Sequence, residues 1–119
     1  MSEFNTDITI RDNIVVVKTH GYLDDAGGQI LRQKCVALIE KGNIYFVFNL
    51  HDTPVINSTG LSIILDILVQ IIDYSEGEAA ICGLSSLTET ALKMTGVLTL
   101  CESYPSEDEA IQAIKDSVG

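Results

Sequence analysis

The stretch of sequence that decides the fold runs from Pro54 to Leu65 and reads PVINSTGLSIIL. A strand-like apolar run, Ile44 to Leu50, precedes this stretch, and a second run that is even more apolar begins at Leu61. Three small polar residues and a glycine, 57–60, stand directly before the second run. Small polar residues favour helix N-termini because their side chains accept hydrogen bonds from the first backbone N–H groups. The pattern therefore predicts a buried strand followed by a long helix from about Ser58 to Ser75, which ends near Gly77.

Strand and helix signals alternate on both sides of this junction. β-Branched runs over 7–11 and 13–19 predict two strands joined near Arg11-Asp12-Asn13, and short strands are predicted over 79–82 and within 98–104. Three further helices are predicted, after the second, fourth and fifth strands. The first is capped by Asp24 or Asp25 and ends at Gly42, and the second ends at Gly96. The third begins with a capping box of Ser106 and Glu109. This order predicts an α/β fold with a mixed sheet of four to five strands, flanked by about four helices, in a single domain over 1–119. Gly27-Gly28 is poor helix material, so we expect the first turn of the first helix to be loose.

The chain of 119 residues is acidic, with 17 Asp and Glu against 7 Lys and Arg and a net charge of −10. This charge argues against nucleic acid and anionic lipid as partners, and it favours a partner with a basic face. No apolar run reaches the roughly 18 residues of a membrane span. The first ten residues lack the basic start and apolar core of a signal peptide. We therefore expect a cytoplasmic protein with no nucleic-acid or membrane partner.

The cysteines and histidines indicate neither a metal site nor a redox pair. His20 and His51 do not form a ligand spacing. Gly60 is a lone glycine, without the lysine and glycine spacing of a phosphate-binding loop. We expect no metal and no cofactor. Wide separation and apolar neighbours predict buried, inert thiols for all three cysteines, Cys35, Cys82 and Cys101.

The polar residues of the predicted long helix form one stripe at spacings of four, four, four and three: Ser58, Ser62, Asp66, Gln70 and Asp73. Nine of the thirteen residues from 61 to 73 are apolar, too many for one buried face. Part of that apolar surface should lie beside the stripe, within reach of another protein. Thr59 shares a face with Ile63 and Ile67 and should point to the packed side.

Ser58 is therefore the predicted exposed hydroxyl at the helix start. The unpaired N–H groups and partial positive charge there can accept an anion, and a phosphate would add about −1.5 to −2 charges beside a docking surface. One alternative is that Asn57 or Ser58 merely caps the helix. Another is a hydrolase, since His51 and Asp52 would complete a triad with Ser58. However, no G-x-S-x-G elbow is present, and the two loop neighbours show no sign of orienting one another, so we expect no catalytic residues and no enzyme.

Four pieces of the sequence carry a family resemblance. Asn57-Ser58-Thr59-Gly60-Leu61 stands where the family reads Asp-Ser-(Ser/Thr)-Gly-(Leu/Ile). The others are Gly21-Tyr22-Leu23-Asp24 after the second strand, Thr95-Gly96 at the end of the third helix, and Tyr104-Pro105 before an acidic helix start. In order and separation they resemble the STAS domain family, most closely the bacterial anti-sigma factor antagonists. The resemblance covers nearly the whole chain and implies a STAS-like fold.

The resemblance also implies a function. In the antagonist branch, the matching serine is phosphorylated by a serine kinase that is itself an anti-sigma factor. The unphosphorylated domain binds that kinase and so releases a sigma factor, and a metal-dependent serine phosphatase resets the cycle. Ser58 would then be the phosphoacceptor. We expect the protein to be a monomer or a weak homodimer. The residues that would meet the kinase are Asp24, Asn57, Ser58, Thr59, Gly60, Leu61 and Ser62.

Two positions depart from the family pattern, because Asn57 and Asn49 stand where the family usually has Asp. Both substitutions keep the shape of the side chain and remove a negative charge. Asn57 can still cap a helix, but it cannot supply a carboxylate to a kinase site or its magnesium. The alternative function is therefore a STAS adaptor that is never phosphorylated, a subunit of a larger signalling or lipid-transport assembly in which Ser58 is only a cap.

Overall fold

Five strands form one mixed sheet in the order β1-β2-β3-β4-β5, as described by a computed structural model that covers residues 4–118. β1 and β2 are antiparallel, and every other neighbouring pair is parallel. The expected mixed α/β sheet is confirmed. The strands are β1 (Asn5–Arg11), β2 (Ile14–His20), β3 (Tyr45–Asp52), β4 (Glu78–Cys82) and β5 (Glu102–Tyr104).

The helices alternate with the strands after β2. A π-helical turn over Gln70–Tyr74 extends α2, so that the helical segment ends just before Gly77, as expected. Ser106 Oγ accepts a hydrogen bond from Glu109 N at 3.2 Å and donates one to Glu109 Oε2 at 3.3 Å, which confirms the cap of the last helix. The helices are α1 (Asp25–Glu40), α2 (Ser58–Val69), α3 (Ser86–Thr95), α4 (Val97–Leu100) and α5 (Glu107–Val118).

The core lies on both faces of the sheet, and β3 is its central strand. Phe46 and Phe48 face the larger core, where α1 to α4 pack, and their rings stack with centroids 5.9 Å apart. Val47 points to the opposite face, where α5 buries Ile111 and Ile114. This explains why β3 is apolar on both sides, since helices cover both faces of a parallel sheet. Within residues 4–118, no helix combines the length and apolar character needed to cross a bilayer.

One local expectation is wrong. Gly27 and Gly28 do not loosen α1, because both are helical and buried. A Cβ on Gly27 would lie 2.7 Å from Phe4 Cγ, and one on Gly28 would overlap Ile63 of α2. The glycines therefore allow close packing of α1. The expected short strand within 98–104 is confirmed as β5; Gly96, with φ of 84°, ends α3 and starts the single turn of α4, which leaves only three residues for β5.

Candidate functional site

The parallel pairing of β2 and β3 brings the starts of α1 and α2 together. The loops after these strands continue the pairing, since Leu23 N donates to Val55 O at 3.0 Å and Asn57 N donates to Leu23 O at 3.1 Å. An isolated parallel bridge joins Leu23 and Ile56. The two helices that follow therefore begin side by side at the carboxyl ends of their strands, the usual place for ligand sites in such sheets. We call Asp24, Asp25 and Asn57 to Ser62 the junction site.

Each of the two helix starts has its own side-chain cap. Asp24 Oδ1 accepts a hydrogen bond from Gly27 N at 2.9 Å, which shows that Asp24, and not Asp25, caps α1. Asn57 Oδ1 accepts from Gly60 N at 2.8 Å and caps α2. The cap of α2 is thus Asn57, so the alternative in which Ser58 is the cap is wrong.

Ser58 is the first residue of α2 and its side chain is exposed. Within residues 4–118, no side-chain hydrogen bond engages Ser58 Oγ. The backbone N–H groups of Ser58 and Thr59 lie in the first helical turn, where no intrahelical acceptor exists. The hydroxyl is therefore free, and it stands beside two backbone donors at the positive end of the helix.

Thr59 departs from the expectation that it faces the packed side, because its side chain is exposed. The shared helical face is buried only from Ile63 onward, where Ile63 lies against Gly28 of α1. Thr59 lies one turn nearer the helix end, beyond that contact. The junction site therefore presents two neighbouring hydroxyl groups, Ser58 and Thr59.

Gly60 and Leu61 lie beneath the surface of the junction site. Leu61 is only 9% exposed and belongs to the core. A Cβ on Gly60 would lie 2.5 Å from the backbone oxygen of Leu23 and 3.1 Å from Ile56 Cγ2. Only glycine allows this approach of the first turn of α2 to the neighbouring loop. The two residues shape the site from below and offer it no contact surface.

The exposed apolar surface near Ser58 comes from the two loops and not from α2. Tyr22 is 40% exposed and Val55 is 47% exposed, and each stands next to a residue of the Leu23–Ile56 bridge. The apolar residues of α2 itself are buried or half-buried. The expectation that apolar residues of 61–73 offer surface beside the stripe is met only by the half-buried side chains of Leu65, Val69 and Ile72.

The polar stripe on α2 is present in the structure. Ser62 and Asp73 are exposed, and Gln70 is half-buried. Asp66 Oδ2 forms an ion pair with Arg32 Nη2 of α1 at 2.5 Å. The pair joins the two helices whose starts form the junction site.

Asn57 carries a further contact that explains its amide. Asn57 Nδ2 donates to Asp25 Oδ1 at 3.3 Å. An aspartate at position 57 could not donate, and its carboxylate would face that of Asp25. The family usually has a negative charge at position 57. In this chain Asp25, the first residue of α1, places a carboxylate next to that position.

Asn49 on β3 repeats this arrangement. Its Oδ1 accepts from His51 N at 3.0 Å, and its Nδ2 donates to Glu107 Oε1 of α5 at 3.1 Å. Asn49 is buried, so a carboxylate there would meet a second carboxylate in a poorly solvated place. Both departures from the family pattern thus pair an amide with a neighbouring acidic side chain.

A polar network holds the ends of β2 and β3 below the site. His20 bonds Asp7 Oδ2 through Nε2 at 2.8 Å and Asp52 Oδ2 through Nδ1 at 3.0 Å. The hydrogen bond from His51 is the main cause that lowers the pKa of Asp52. The buried hydroxyl groups of Thr19 and Thr53 hydrogen-bond each other at 2.5 Å. This network fixes the two strand ends from which the loops start.

Of the three residues of the possible triad, His51 and Asp52 are in contact and Ser58 lies apart from them. His51 Nδ1 lies 3.0 Å from Asp52 Oδ1, which corrects our expectation that these neighbours do not orient each other. By strand alternation, however, His51 points to the face of the sheet that carries α5, with Asn49, whereas Ser58 begins α2 on the opposite face. No cluster of metal-ligating side chains is found in the part of the chain that the structure describes.

Burial of the cysteines is confirmed. Cys35, Cys82 and Cys101 are free and buried. Burial raises the pKa of Cys35 and Cys101 to about 12 and that of Cys82 to about 11. The thiolate is the reactive form, so these thiols are unreactive near neutral pH.

Comparison with known proteins identifies the family. The STAS domain model matches residues 5–110, which is most of the chain, so the chain belongs to the STAS domain family. The resemblance found in the four sequence pieces is confirmed.

Solved structures share this fold at low sequence identity. A candidate anti-sigma factor antagonist from Thermotoga maritima is 22% identical, with a TM-score of 0.84 over 92% of this chain and 94% of that one. The Bacillus cell fate determinant SpoIIAA in its phosphorylated form is 18% identical, with a TM-score of 0.72 over 94% and 99%. A sulfate transporter family protein from Wolinella succinogenes is 16% identical, with a TM-score of 0.75 over 92% and 91%. These likenesses confirm the STAS-like fold.

Sequence reasoning missed three contributors to the site. Asp25 was considered only as a cap, and Tyr22 only as part of a turn motif. Val55 was considered only as part of the junction stretch. Each lies in or beside the junction site because the two loops pair, a long-range contact that no local pattern reveals.

Proposed function

We propose that this STAS domain is an anti-sigma factor antagonist whose binding is switched by phosphorylation of Ser58. In its unphosphorylated form it binds a serine-kinase anti-sigma factor, which then releases its sigma factor and allows transcription. A metal-dependent serine phosphatase restores the binding form. The domain acts in the bacterial cytoplasm as a binding protein, without catalytic residues, metal or cofactor of its own.

The observation that carries this proposal is the free hydroxyl of Ser58. Because Asn57 caps α2, the Ser58 side chain has no structural task in the first turn. A kinase can reach it, since it is exposed. A phosphate there can accept hydrogen bonds from the first N–H groups of α2 and benefits from the helix dipole, so the folded domain tolerates it.

The same phosphate opposes binding of the kinase. It adds about −1.5 to −2 charges at a site that already holds Asp24 and Asp25. The exposed apolar side chains of Tyr22 and Val55 stand in the same pair of loops, where a docked protein would cover them. Burying a phosphate next to them carries a desolvation cost, so one modification removes the binding surface.

The net charge of −10 supports a kinase with a basic docking face. The solved relative SpoIIAA is described as an anti-sigma factor antagonist and is known in unphosphorylated and phosphorylated forms. By analogy, the fold accepts a phosphate without being lost.

The second candidate is a STAS adaptor that is not phosphorylated and serves a larger signalling or lipid-transport assembly. The observation that favours it is Asn57, which offers an amide where a kinase or its magnesium would meet a carboxylate. The hydrogen bond of Asn57 to Asp25 weighs against this candidate, because it keeps a carboxylate within the site.

Binding measurements with charge variants test the proposal. Ser58→Ala should bind the serine-kinase anti-sigma factor of the same organism as tightly as the wild type, whereas Ser58→Asp should lose at least about tenfold in affinity, or about 1.4 kcal/mol. Ser86→Asp is a matched control, because Ser86 is the exposed first residue of α3 and has its own cap in Ser85. Equal affinities of Ser58→Ala and Ser58→Asp in calorimetric titrations would refute the switch and favour the adaptor.

A further inference from the structure

Within residues 4–118 the sheet has two open edges, and the outer edge of β1, with seven residues, is longer than that of β5, with three. β1 is the first strand in the sheet order, and its inner edge pairs with β2 from Asn5↔His20 to Arg11↔Ile14. Within residues 4–118, no strand pairs with its outer edge. Such an edge offers a row of backbone donors and acceptors to another strand.

The turn after β1 determines which residues point outward. Asp12 and Asn13 have φ of 53° and 68°, so the two-residue loop is a type I′ turn. In such a hairpin the closing pair, Arg11 and Ile14, is hydrogen-bonded, and hydrogen-bonded pairs alternate along the strands. The N–H and C=O groups of Ile8 and Ile10 therefore face the open edge.

The sequence of this strand is complementary to itself. We propose that the outer edge of β1 pairs antiparallel with β1 of a second copy of the chain, centred on Thr9. In this register Thr9 faces Thr9, Ile8 faces Ile10, and Asp7 faces Arg11. Cross-strand hydroxyl pairs, aliphatic pairs and opposite charges all stabilise antiparallel strands.

The backbone geometry agrees with the same register. Ile8 and Ile10 of the two copies form two hydrogen-bonded pairs, which gives four backbone hydrogen bonds. Thr9 and the Asp7–Arg11 pairs fall at non-hydrogen-bonded positions, where facing side chains lie closer. A shift by two residues, the smallest that keeps the same backbone groups facing each other, would bring Thr9 opposite Asp7 or opposite Arg11, so only the register centred on Thr9 pairs Asp7 with Arg11.

The side chains involved are available. Ile10 is 55% exposed, and pairing would cover it. The side chain of Asp7 is 72% exposed and that of Arg11 is 52% exposed. Asp7 contacts His20, and Arg11 contacts Glu107 and Asp108 of α5. These ion pairs lie at the surface, so they contribute little and can be shared or exchanged.

Dimerisation through β1 leaves the junction site unchanged, because the two surfaces share no residue. One strand pair buries less area than the roughly 1,200 Å² of a stable complex, so the dimer is weak. Association through β1 therefore does not depend on the function of Ser58.

Charge-swap variants at the exposed ends of the strand test this. Sedimentation equilibrium is measured up to about 1 mM protein, where a binding free energy of about −4 kcal/mol suffices for association. The average mass of the wild type should rise toward that of a dimer. Asp7→Arg and Arg11→Asp should each stay monomeric, because like charges face each other across the edge. The double variant Asp7→Arg/Arg11→Asp should associate again.

An equimolar mixture of the two single variants provides the sharpest result. Asp7→Arg has a positive charge at both positions, and Arg11→Asp has a negative charge at both. A pair of one copy of each variant therefore has opposite charges at both contacts between positions 7 and 11, so the mixture should form a heterodimer. Circular dichroism verifies that each variant is folded, and Ser58→Asp should associate like the wild type. A wild type that keeps the monomer mass at all concentrations, single variants that associate equally well, or a mixture that stays monomeric would each overturn the proposal.

Discussion

Asn57→Asp restores the carboxylate that STAS antagonists usually carry, and the structure predicts that it destabilises this chain. Asn57 Nδ2 donates to Asp25 Oδ1 at 3.3 Å. Two carboxylates at that separation repel by about 1 kcal/mol in a water-like dielectric. Loss of the hydrogen bond adds about 1 kcal/mol, while a charged cap at the helix start returns about 0.3–1 kcal/mol. The free energy of unfolding should therefore fall by about 1–2 kcal/mol.

A double-mutant cycle separates this repulsion from other effects of the substitution. Urea unfolding at pH 7 is compared for the wild type, Asn57→Asp, Asp25→Asn and the double variant, which exchanges the two groups. The double variant should recover most of the loss, and the loss should also shrink below about pH 4, where carboxylates are protonated. If Asn57→Asp costs the same with and without Asp25→Asn, then the Asp25 contact is not the reason for the amide at position 57.

Three further predictions concern the residues that surround or support the site. Asn49→Asp should destabilise the fold by more than Asn57→Asp, because position 49 is buried opposite Glu107, and Glu107→Gln should rescue it in urea unfolding. Gly60→Ala should lower the free energy of unfolding by about 1–3 kcal/mol, because its Cβ would meet the backbone oxygen of Leu23, although alanine has the better helix propensity. Ser62→Ala on the same helix is the control and should leave the free energy of unfolding nearly unchanged. The buried thiols should resist a thiol reagent at pH 8 until denaturant is added. Burial raises the pKa of Cys35 from its ordinary value of 9.0 to about 12. The buried neutral thiol therefore contributes its full stabilisation below pH 9, and this stabilisation is lost as pH rises toward about 12. The urea midpoint should fall over this alkaline range, and a midpoint that does not change with pH there would contradict the burial of Cys35.

The sequence was sufficient for the order of the five strands and the four longer helices, but not for the short helix α4. Apolar alternation located the hairpin of β1 and β2, and the apolar run from Ile44 marked β3 as a strand buried on both faces. The helix after the junction was also predicted at its correct start, because an asparagine cap leaves a clear local signal. These features depend on neighbouring residues and need no knowledge of the tertiary structure.

The errors arose where a distant segment decides the outcome. Gly27 and Gly28 are unfavourable in an isolated helix, yet they are required here because Phe4 and Ile63 occupy the space of a side chain. Thr59 follows the periodicity of the buried face, but it lies one turn before Ile63, where this face packs against Gly28 of α1. Periodicity describes one helix, whereas burial depends on where the neighbouring helix starts.

The candidate site shows the same division. Ser58 was found from its place in the polar stripe and from the family motif. The contact between Asn57 and Asp25 joins two helices that are distant in sequence, so the sequence alone showed Asn57 only as a possible cap and as a lost charge. The exposed pair Tyr22 and Val55 likewise depends on the pairing of two loops that are distant in sequence.

The most direct test of the central claim is the location of the phosphate. The wild type, Ser58→Ala and Thr59→Ala are incubated with the serine-kinase anti-sigma factor of the same organism and magnesium ATP, and the products are analysed by intact mass and peptide sequencing. The account predicts one phosphate on Ser58 in the wild type and in Thr59→Ala, and none in Ser58→Ala. Phosphate on Thr59 of the wild type, or no phosphate with a kinase that binds the domain, would contradict it.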